Sequence, residues 1–499
     1  MFSSISLEKI FSLLKYDPND PLIFSTSLFL FLFLGFLILY NLLGKNKAAR
    51  IFLLITFSLY FYYKAAGIYF FILVVSAVAN FFIGKWIARA DSFPIKRLFL
   101  ALALILNLAL LGYFKYTNFI LQIIADISKH NINPLAIFLP IGISFYTFKS
   151  LTYVFDIYYD TLKPTNSLRD FCLYVFFFPN ILLGPIDRAV DFLPQIDREP
   201  FISKEDIGRA LFLIMLGLIK KVVIADYISL NFVDRIFDFP LRFTGVENLL
   251  AIYAYVLQIY CDFSGYSDMA IGIALLLGFK LMDNFNYPFK ATSIADFWRR
   301  WHISLSKWLL DYLFKPIQIS SRSLRIFGNV LALVVTFFVC GLWHGAGWNF
   351  ILWGVFHGTL MSISLFFKKP KEKLYKLLRI HNTRFLRFFQ IVITFHLIAL
   401  SFLIFRANDF QNVIDMLDQI YQFFHAEVFL QFAEKLPLIL GLLVLGYLFH
   451  FLPSKLGLWI QKIITAVPLP VKVLLLVAVI WLAAQFKSAD IQPFIYFQF

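Results

Sequence analysis

Long apolar stretches recur along the whole chain and are separated by short polar segments. A helix needs about 20 mostly apolar residues to cross a bilayer, and several stretches approach that length. They cover residues 23–44, 51–65, 68–87, 98–113, 137–153, 171–183, 210–224, 249–279, 328–342, 350–367, 388–405, 436–451 and 471–484. The shorter ones are expected to be re-entrant or interfacial. The pattern predicts an all-α polytopic membrane protein with about ten to thirteen transmembrane helices, plus re-entrant or interfacial helices.

The two ends of the chain differ from the body. Lys9 and Lys15 bracket a short run with apolar residues at roughly helical spacing, which ends at the Asp- and Pro-rich stretch 17–21. We expect residues 1–22 to form an amphipathic helix on the membrane surface rather than a cleaved signal peptide. Residues 23–486 are predicted to form one membrane domain, and 487–499 an aromatic tail.

Composition agrees with this class and excludes others. Hydrophobic residues make up 60% of the chain and charged residues 15%, so a soluble surface would become one apolar patch. Soluble enzymes, disordered chains and nucleic-acid binders are excluded as descriptions of the whole chain. The net charge of +15 fits cytoplasmic loops that face anionic membrane lipids. The three cysteines are far apart and lack metal-ligand spacing, so we expect no metal site.

Loop charges predict the orientation. Residues 368–387 carry eight basic side chains and one acidic, whereas 406–435 carry two basic and five acidic. Because cytoplasmic loops are enriched in Lys and Arg, the first loop is expected inside and the second outside. Two further stretches follow, so the tail 487–499 is predicted to be extracytoplasmic.

Three polar segments interrupt the apolar pattern, and ionisable groups at membrane depth are functional candidates. The first contains Asp262, Ser264 and Asp268. Ser264 and Asp268 share a helical face, whereas the two carboxylates point in different directions. They either pair with basic groups of other helices and stabilise the fold, or line a polar tunnel; both interpretations stay open.

The second segment, 296–312, has one apolar stripe at helical spacing, with Arg299 and Arg300 away from it. Tryptophan together with Arg and Lys suits a helix at the lipid headgroups. His302 lies at the edge of this stripe. Taken alone, a histidine in such a position is more often structural than catalytic.

The third segment, 326–367, contains 42 residues without a charged side chain. A straight helix of that length would measure about 63 Å, twice the thickness of a bilayer, so the chain is expected to turn back. Glycines around His344 mark the turn. An apolar setting favours the neutral, basic form of histidine, so the sequence predicts that His344 is a general base.

The motifs in these segments, taken in order, resemble the membrane-bound O-acyltransferase family. The resemblance covers the chain from about residue 111 to its end. It is closest to the bacterial branch that acylates exported polysaccharides, which includes alginate and peptidoglycan O-acetyltransferases. The stretches that carry it are 140–148 (PIGISFYTF), 184–188 (GPIDR), 220–226 (KKVVIAD), 258–267 (QIYCDFSGYS), 297–306 (FWRRWHISLS), 341–348 (GLWHGAGW) and 405–406 (FR).

The resemblance implies a helical body around a central tunnel, with an acyl thioester entering from the cytoplasm. Its central histidine corresponds to His344 and its second histidine to His302. Trp343 and Asn349 are expected near them. His302 and Asn349 are expected to orient the reactants or stabilise the oxyanion. No cofactor is expected to stay bound, and acetyl-CoA is the expected donor. Its phosphates are expected near four basic residues: Arg299, Arg300, Lys315 and Arg322.

The resemblance also implies a partner and a relay. In this branch an extracytoplasmic partner of the SGNH esterase type often passes the acyl group on. The chain ends in 494–499 (FIYFQF), which is similar to an aromatic terminal motif in which a tyrosine is proposed to carry the acyl group; here it would be Tyr496. The alternative is that the tail is an interfacial aromatic belt. The expected location is the bacterial cytoplasmic membrane.

Two other functions fit parts of the sequence. One is a D-alanyl transferase for teichoic acid, whose donor would be a thioester on a small acidic carrier protein. The other is a transporter or flippase in which Asp262, Asp268 and His344 form a proton pathway. The absence of a visible internal repeat counts against the transporter.

Overall fold

The computed structural model describes residues 7–18, 20–199, 201–486 and Phe494. In this part of the chain every regular element is a helix, as the apolar pattern predicts. The α-helices are α1 Leu7–Leu14, α2 Ser27–Leu42, α3 Lys47–Ala66, α4 Phe70–Arg89, α5 Phe93–Leu111, α6 Thr117–Ser128, α7 Ile143–Tyr158, α8 Leu168–Phe176, α9 Ala189–Ile196, α10 Lys204–Leu218, α11 Asp234–Asp238, α12 Gly245–Leu276, α13 Ile294–Trp298, α14 Ile303–Leu309, α15 Lys315–Ser320, α16 Ile326–His344, α17 Trp348–Phe366, α18 Lys368–Leu377, α19 Arg384–Arg406, α20 Phe410–Gln422, α21 Val428–Lys435, α22 Pro437–Phe451, α23 Ser454–Ala466 and α24 Leu469–Phe486.

Within the described residues, six helical segments are long and apolar enough to cross a membrane. They are Lys47–Arg89, Phe93–Ser128, Ile326–His344, Trp348–Phe366, Arg384–Arg406 and Leu469–Phe486. The pair α21 and α22, bent by 96°, would make a seventh. Many apolar side chains on these helices are exposed, as expected of surfaces that face lipid. These segments agree with a helical membrane protein. The number of transmembrane helices, ten to thirteen, stays a prediction.

The described residues divide into two compact units. The first holds residues 7–214 and 266–282, and the second holds 215–265, 283–486 and Phe494. The single membrane domain at 23–486 stays a prediction.

The core of the first unit is built from stacked aromatic rings, which explains part of the high phenylalanine content. Phe178 packs against the rings of Phe36, Phe57 and Phe61 at centroid distances of 5.8, 4.9 and 5.7 Å. Tilted and edge-to-face pairs of this kind add to the energy of apolar burial. The stretch 171–183, predicted to be one apolar segment, is helical only to Phe176. Two prolines and one glycine follow, Pro179, Pro185 and Gly184, and they prevent the helix from continuing.

Beside these rings lies a buried polar network. The Lys149 ammonium donates to Asn180 Oδ1 at 2.8 Å, and the Asn180 amide donates to Asp187 Oδ2 at 2.8 Å. The other Asp187 oxygen accepts from the backbone N–H of Met282 at 3.3 Å. Because each polar group has a partner, the network fixes the irregular backbone that follows α8.

In the second unit, α16 and α17 form the hairpin that the uncharged stretch 326–367 predicts. The chain leaves α16 at His344 and enters α17 at Trp348. A side chain on Gly354 would collide with the backbone oxygen of Phe337, and one on Gly341 with that of Phe350. Glycine at these positions therefore allows the two helix backbones to approach closely.

The continuous helix expected over 296–312 is wrong. α13 ends at Trp298, and α14 begins only at Ile303. Between them the backbone turns, and His302 takes a φ of +43°. Positive φ is costly for a residue with a Cβ, so tertiary contacts hold this turn in place.

Candidate active site

His344 lies at the last residue of α16, at the turn of the hairpin, and its side chain is buried. The ring of Trp353 lies 4.9 Å away edge to face, and the ring of Phe405 lies 5.4 Å away in the same geometry. Trp343 packs on it at 5.0 Å. Three aromatic rings thus surround the imidazole and keep water from this end of the hairpin.

The ring of Phe350 shapes the short connection that follows His344. A side chain on Gly345 would collide with the ring of Phe350, and the same ring packs against Phe405 at 5.0 Å. Glycine at 345 therefore leaves space for the aromatic group that closes the turn. The turn that was predicted from the glycines around His344 is confirmed. The role of His344 in catalysis stays a prediction.

His302 is fully buried, and Asn284 determines its protonation. Its Nδ1 lies 3.2 Å from Asn284 Oδ1, and the same oxygen accepts from the backbone N–H of Ser304 at 3.2 Å. A backbone N–H is always a donor, so the Asn284 atom is an acceptor and His302 Nδ1 must carry the hydrogen. Its Nε2 is then the basic nitrogen. No hydrogen-bond partner contacts this atom among the described residues.

Burial also determines the charge of His302. It lowers the pKa of His302 from 6.5 to about 3, because the protonated imidazole would lose its hydration without gaining a charged partner. The side chain is therefore neutral at physiological pH. The ring is neutral, with one fixed N–H and one buried lone pair that contacts no donor among the described residues, so it can accept a hydrogen bond.

Both histidines lie against the same indole. The ring of Trp343 is 6.1 Å from the ring of His302 and 5.0 Å from that of His344. Phe263 packs edge to face on His302 at 4.6 Å. The structure thus joins two segments that are 42 positions apart in sequence, as the prediction of a shared site requires.

A third histidine, His357, belongs to the same cluster. Its Nδ1 accepts a hydrogen bond from the indole N–H of Trp298 at 3.3 Å, and its ring lies 4.8 Å from that of Trp353. Trp353 therefore contacts both His344 and His357. The hydrogen bond from Trp298 and the packing on Trp353 hold His357 in place within α17.

Asn349 connects the hairpin to α19. Its amide nitrogen lies 3.2 Å from the backbone oxygen of Ala407 and 3.4 Å from that of Phe405. Its N–H groups are thus directed at main-chain carbonyls at the end of α19. This contact positions the start of α17. The expectation that Asn349 orients the reactants or stabilises the oxyanion stays a prediction.

Asp262 pairs with a buried lysine that the sequence did not identify as its partner. Lys221 Nζ lies 2.6 Å from Asp262 and 2.8 Å from Asp226. The lysine side chain is 1% exposed and that of Asp262 5%. This ion pair favours the stabilising interpretation of Asp262. The sequence signal was the basic pair 220–221 within an apolar stretch, but periodicity could not show which carboxylate it meets.

Two more candidates from that segment differ from Asp262. The Ser264 hydroxyl is buried and contacts no hydrogen-bond partner among the described residues. Asp268 lies six residues after Asp262 in α12 and is half-buried.

The ring of Phe494 covers the same lysine. Its centroid lies 4.2 Å from Lys221 Nζ, and the Phe494 side chain is fully buried. A cation over an aromatic face is attracted by the ring quadrupole, most strongly when water is excluded. Tyr496, the predicted acyl carrier, lies outside the described residues, but Phe494 marks where the terminal segment meets the second unit.

The four basic residues predicted to bind the donor lie in two groups. Arg299 and Arg300 lie on the turn before α14, and both contact Asp296, at 3.7 and 3.1 Å. Lys315 pairs with Asp311 at 2.6 Å, and Arg322 is exposed. Exposed cations of this kind can meet an anionic ligand. Among the described residues, no three His, Cys, Asp or Glu side chains are close enough to hold a metal ion.

Comparisons with known proteins identify the family of the chain. Residues 159–405, which include all three histidines of the cluster, match the sequence model of the membrane-bound O-acyltransferase family. The chain is 35% identical to a peptidoglycan O-acetyltransferase from Helicobacter pylori over 427 residues, 79% of each chain. It is 37% identical to the probable alginate O-acetylase AlgI of Pseudomonas aeruginosa over 438 residues, 86% of this chain and 80% of the relative.

A more distant relative has another substrate in its name. A teichoic acid D-alanyltransferase from Bacillus subtilis is 33% identical over 283 residues, 54% of this chain and 70% of the relative. Both kinds of relative are transferases named for acyl groups and cell-envelope polymers. Together with the family match, these relationships show that the chain belongs to the membrane-bound O-acyltransferase family and is an acyltransferase of the membrane.

Proposed function

We propose that the protein moves an acetyl group from acetyl-CoA at the cytoplasmic face of a bacterial inner membrane toward an exported cell-envelope polysaccharide. The names of the peptidoglycan and alginate relatives support the acetyl group and the polysaccharide. The observation that carries the proposal is that the rings of His302 and His344 both lie against Trp343. Two buried imidazoles, one at the turn of a membrane hairpin and one in the turn before α14, suit an acyl transfer that must exclude water.

In this mechanism His344 is the general base. A hydroxyl oxygen attacks the thioester carbonyl carbon while the His344 imidazole takes the hydroxyl proton. The carbon–sulfur bond then breaks, and the proton passes to the departing CoA sulfur. The products are an acetyl ester and free CoA.

His302 acts as an orienting group in this proposal. Asn284 holds the hydrogen on Nδ1, so Nε2 can accept a hydrogen bond but cannot donate one. It therefore cannot stabilise the oxyanion. Because the single proton of the attacking hydroxyl goes to His344, His302 is assigned to positioning His344 through their shared contact with Trp343. Asn349 acts indirectly, by joining the start of α17 to the end of α19.

The donor's phosphates are assigned to the exposed cations Arg299, Lys315 and Arg322 and to the half-buried Arg300. Arg299, Arg300 and Lys315 each form an ion pair with an aspartate, and Arg299 is the most accessible of the three, since 73% of its side chain is exposed. Arginine binds phosphate through two parallel hydrogen bonds, which adds orientation to charge. The acetyl end of the donor would then extend toward His344.

The accepting hydroxyl is assigned to Tyr496. Phe494 is buried against Lys221, and this contact would anchor the tail two residues before the tyrosine. The tyrosine would carry the acetyl ester, and a serine of an SGNH-type partner outside the cytoplasm would remove it. The loop charges support an extracytoplasmic tail.

A transfer assay with defined donors tests the proposal. Proteoliposomes of the full-length protein receive labelled acetyl-CoA or labelled D-alanine on a carrier protein, and label on the chain is measured. Label from acetyl-CoA only is the expected result. The relative from Bacillus subtilis supports D-alanine as the second candidate, and label from the carrier alone would contradict the acetyl proposal.

A further inference from the structure

The first unit contains a basic cavity that the proposed reaction does not use. It has a volume of about 210 Å³ and is lined by the beginning of α3, the end of α9 and the turn that follows α12. Four cationic side chains, Lys47, Arg50, Arg198 and Lys280, line it together with one carboxylate, Glu199. Such an excess of positive charge around a small cavity attracts an anion.

Nearby acidic groups compensate this charge only in part. Lys47 pairs with Asp197 at 2.6 Å, but Lys280 lies 3.8 Å from Asp206, at the limit of an ion pair. Both lysines are also accessible to solvent, with side chains 39% and 72% exposed. They are therefore able to turn toward a ligand at little cost.

Arg50 differs from these lysines because part of its guanidinium is buried. Its Nε contacts no acceptor among the described residues, and the group lies 5.6 Å from the ring of Tyr40. Burying a charged N–H group without an acceptor destabilises the protein, and this free-energy penalty is larger than the net stabilisation from a typical hydrogen bond. A bound anion would supply that acceptor.

The walls of the cavity are fixed by hydrogen bonds. Gln195 accepts from the backbone N–H of Lys280 at 2.8 Å and donates to its carbonyl at 3.1 Å. The Tyr40 hydroxyl donates to the backbone oxygen of Leu277 at 3.0 Å. Gly278 has a φ of +83°, which glycine adopts without strain. The turn is therefore prearranged, and binding requires little ordering.

The setting favours a phosphate group as the anion. Arg and Lys together match the geometry and charge of phosphate oxygens. The cavity lies at the first residues of the membrane-spanning candidate Lys47–Arg89, where basic side chains meet lipid headgroups. Phe201, another lining residue, is 82% exposed, as expected of a side chain that contacts acyl chains.

We propose that this cavity binds the phosphate of a phosphoester ligand through Arg50 and Lys280. A phospholipid headgroup and a soluble phosphoester such as CoA share this chemistry. The proposal does not rest on the proposed function, which assigns the phosphates of acetyl-CoA to residues that do not line this cavity.

Binding to the purified full-length protein in a neutral detergent tests it. The probes are dihexanoyl phosphatidylglycerol and CoA, titrated separately onto wild type, Arg50→Gln and Lys280→Gln. Each substitution is expected to weaken binding of the recognised probe about tenfold, because a charge-assisted hydrogen bond is lost. Weakened binding of the lipid identifies a headgroup site, and weakened binding of CoA identifies a soluble phosphoester site.

The matched control is Lys45→Gln, which removes an equal charge two residues before Lys47. Lys45 is exposed and does not line the cavity. Unchanged affinity of both probes in Arg50→Gln and Lys280→Gln would overturn the proposal. An equal loss in Lys45→Gln would also overturn it, because general electrostatic attraction would then explain the binding. Lys280 is exposed, so its variant stays informative if Arg50→Gln folds poorly.

Discussion

The side-chain oxygen of Asn284 accepts the Nδ1 hydrogen of His302 at 3.2 Å, and this contact determines which nitrogen of the buried imidazole is basic. The Ser304 hydroxyl donates a hydrogen bond to the same oxygen at 2.9 Å. The Asn284 oxygen is therefore held by two side chains of the turn, His302 and Ser304. The positive φ of His302 is stabilised by these contacts. A strained residue held this firmly is typical of a functional site.

The first prediction concerns the dependence of stability on pH. Burial lowers the pKa of His302 from 6.5 to about 3, so between these values the unfolded chain binds a proton that the folded chain does not. His302 should therefore make stability fall as the pH drops below 6.5, and it should contribute up to about 1.4 kcal/mol per pH unit. Thermal unfolding in detergent at pH 7.5, 6 and 5 measures the slope.

His302→Gln should reduce this slope, because glutamine does not titrate. His130→Gln removes an exposed histidine and is the matched control, which should leave the slope as in wild type. An unchanged slope in His302→Gln would show that the imidazole is not buried in its neutral form.

The second prediction concerns the ion pair of Lys221. Lys221→Met leaves the carboxylates of Asp226 and Asp262 without their cation, and breaking a buried pair costs about 3–5 kcal/mol. The variant should show lower abundance in the membrane and a lower unfolding temperature. Lys435→Met, at a side chain 77% exposed, should change stability by less than about 0.5 kcal/mol. Equal stability of the two variants would contradict a buried pair.

The third prediction concerns the close approach within the hairpin. Gly354→Ala should destabilise the protein by about 1–3 kcal/mol, because its methyl group would collide with the backbone oxygen of Phe337. Gly441→Ala is the control, since nothing lies within 4 Å of a Cβ at that position. Alanine there should stabilise α22 by up to about 1 kcal/mol. Unfolding temperatures of both variants are compared, and equal shifts would contradict the packing of α16 on α17.

The fourth prediction concerns the terminal segment. Phe494→Ala removes the ring over Lys221, so the anchored tail should lose its position and acyl transfer to the partner should fall about tenfold. This expectation assumes that a desolvated cation–π contact contributes 1–2 kcal/mol. Phe494→Tyr keeps the ring and should retain most of the activity. Wild-type transfer by Phe494→Ala would show that the contact does not position the tail.

The sequence predicts some of these features well and others poorly, for physical reasons. The hairpin of 326–367 follows from its uncharged length and its glycines, because both act through local rules. The break at His302 could not be predicted, because its positive φ depends on Asn284, 18 positions away. Periodicity favoured a continuous helix there, and tertiary contacts overrode it.

The buried charges show the same limit. Lys221 and Asp262 stand out individually as ionisable residues in apolar stretches, but their contact depends on the packing of two elements 41 positions apart. The role of Tyr496 stays a prediction, since the tyrosine lies outside the described residues.

The most direct test of the central claim is a single-turnover measurement on His344→Ala. Wild type, His344→Ala and His357→Ala are given labelled acetyl-CoA in proteoliposomes, and the rates of acetyl transfer and the unfolding temperatures are recorded. If His344 is the general base, its variant should lose about 10²–10⁴-fold in rate while staying folded, and His357→Ala should lose less. Transfer at the wild-type rate by a folded His344→Ala protein would contradict the account.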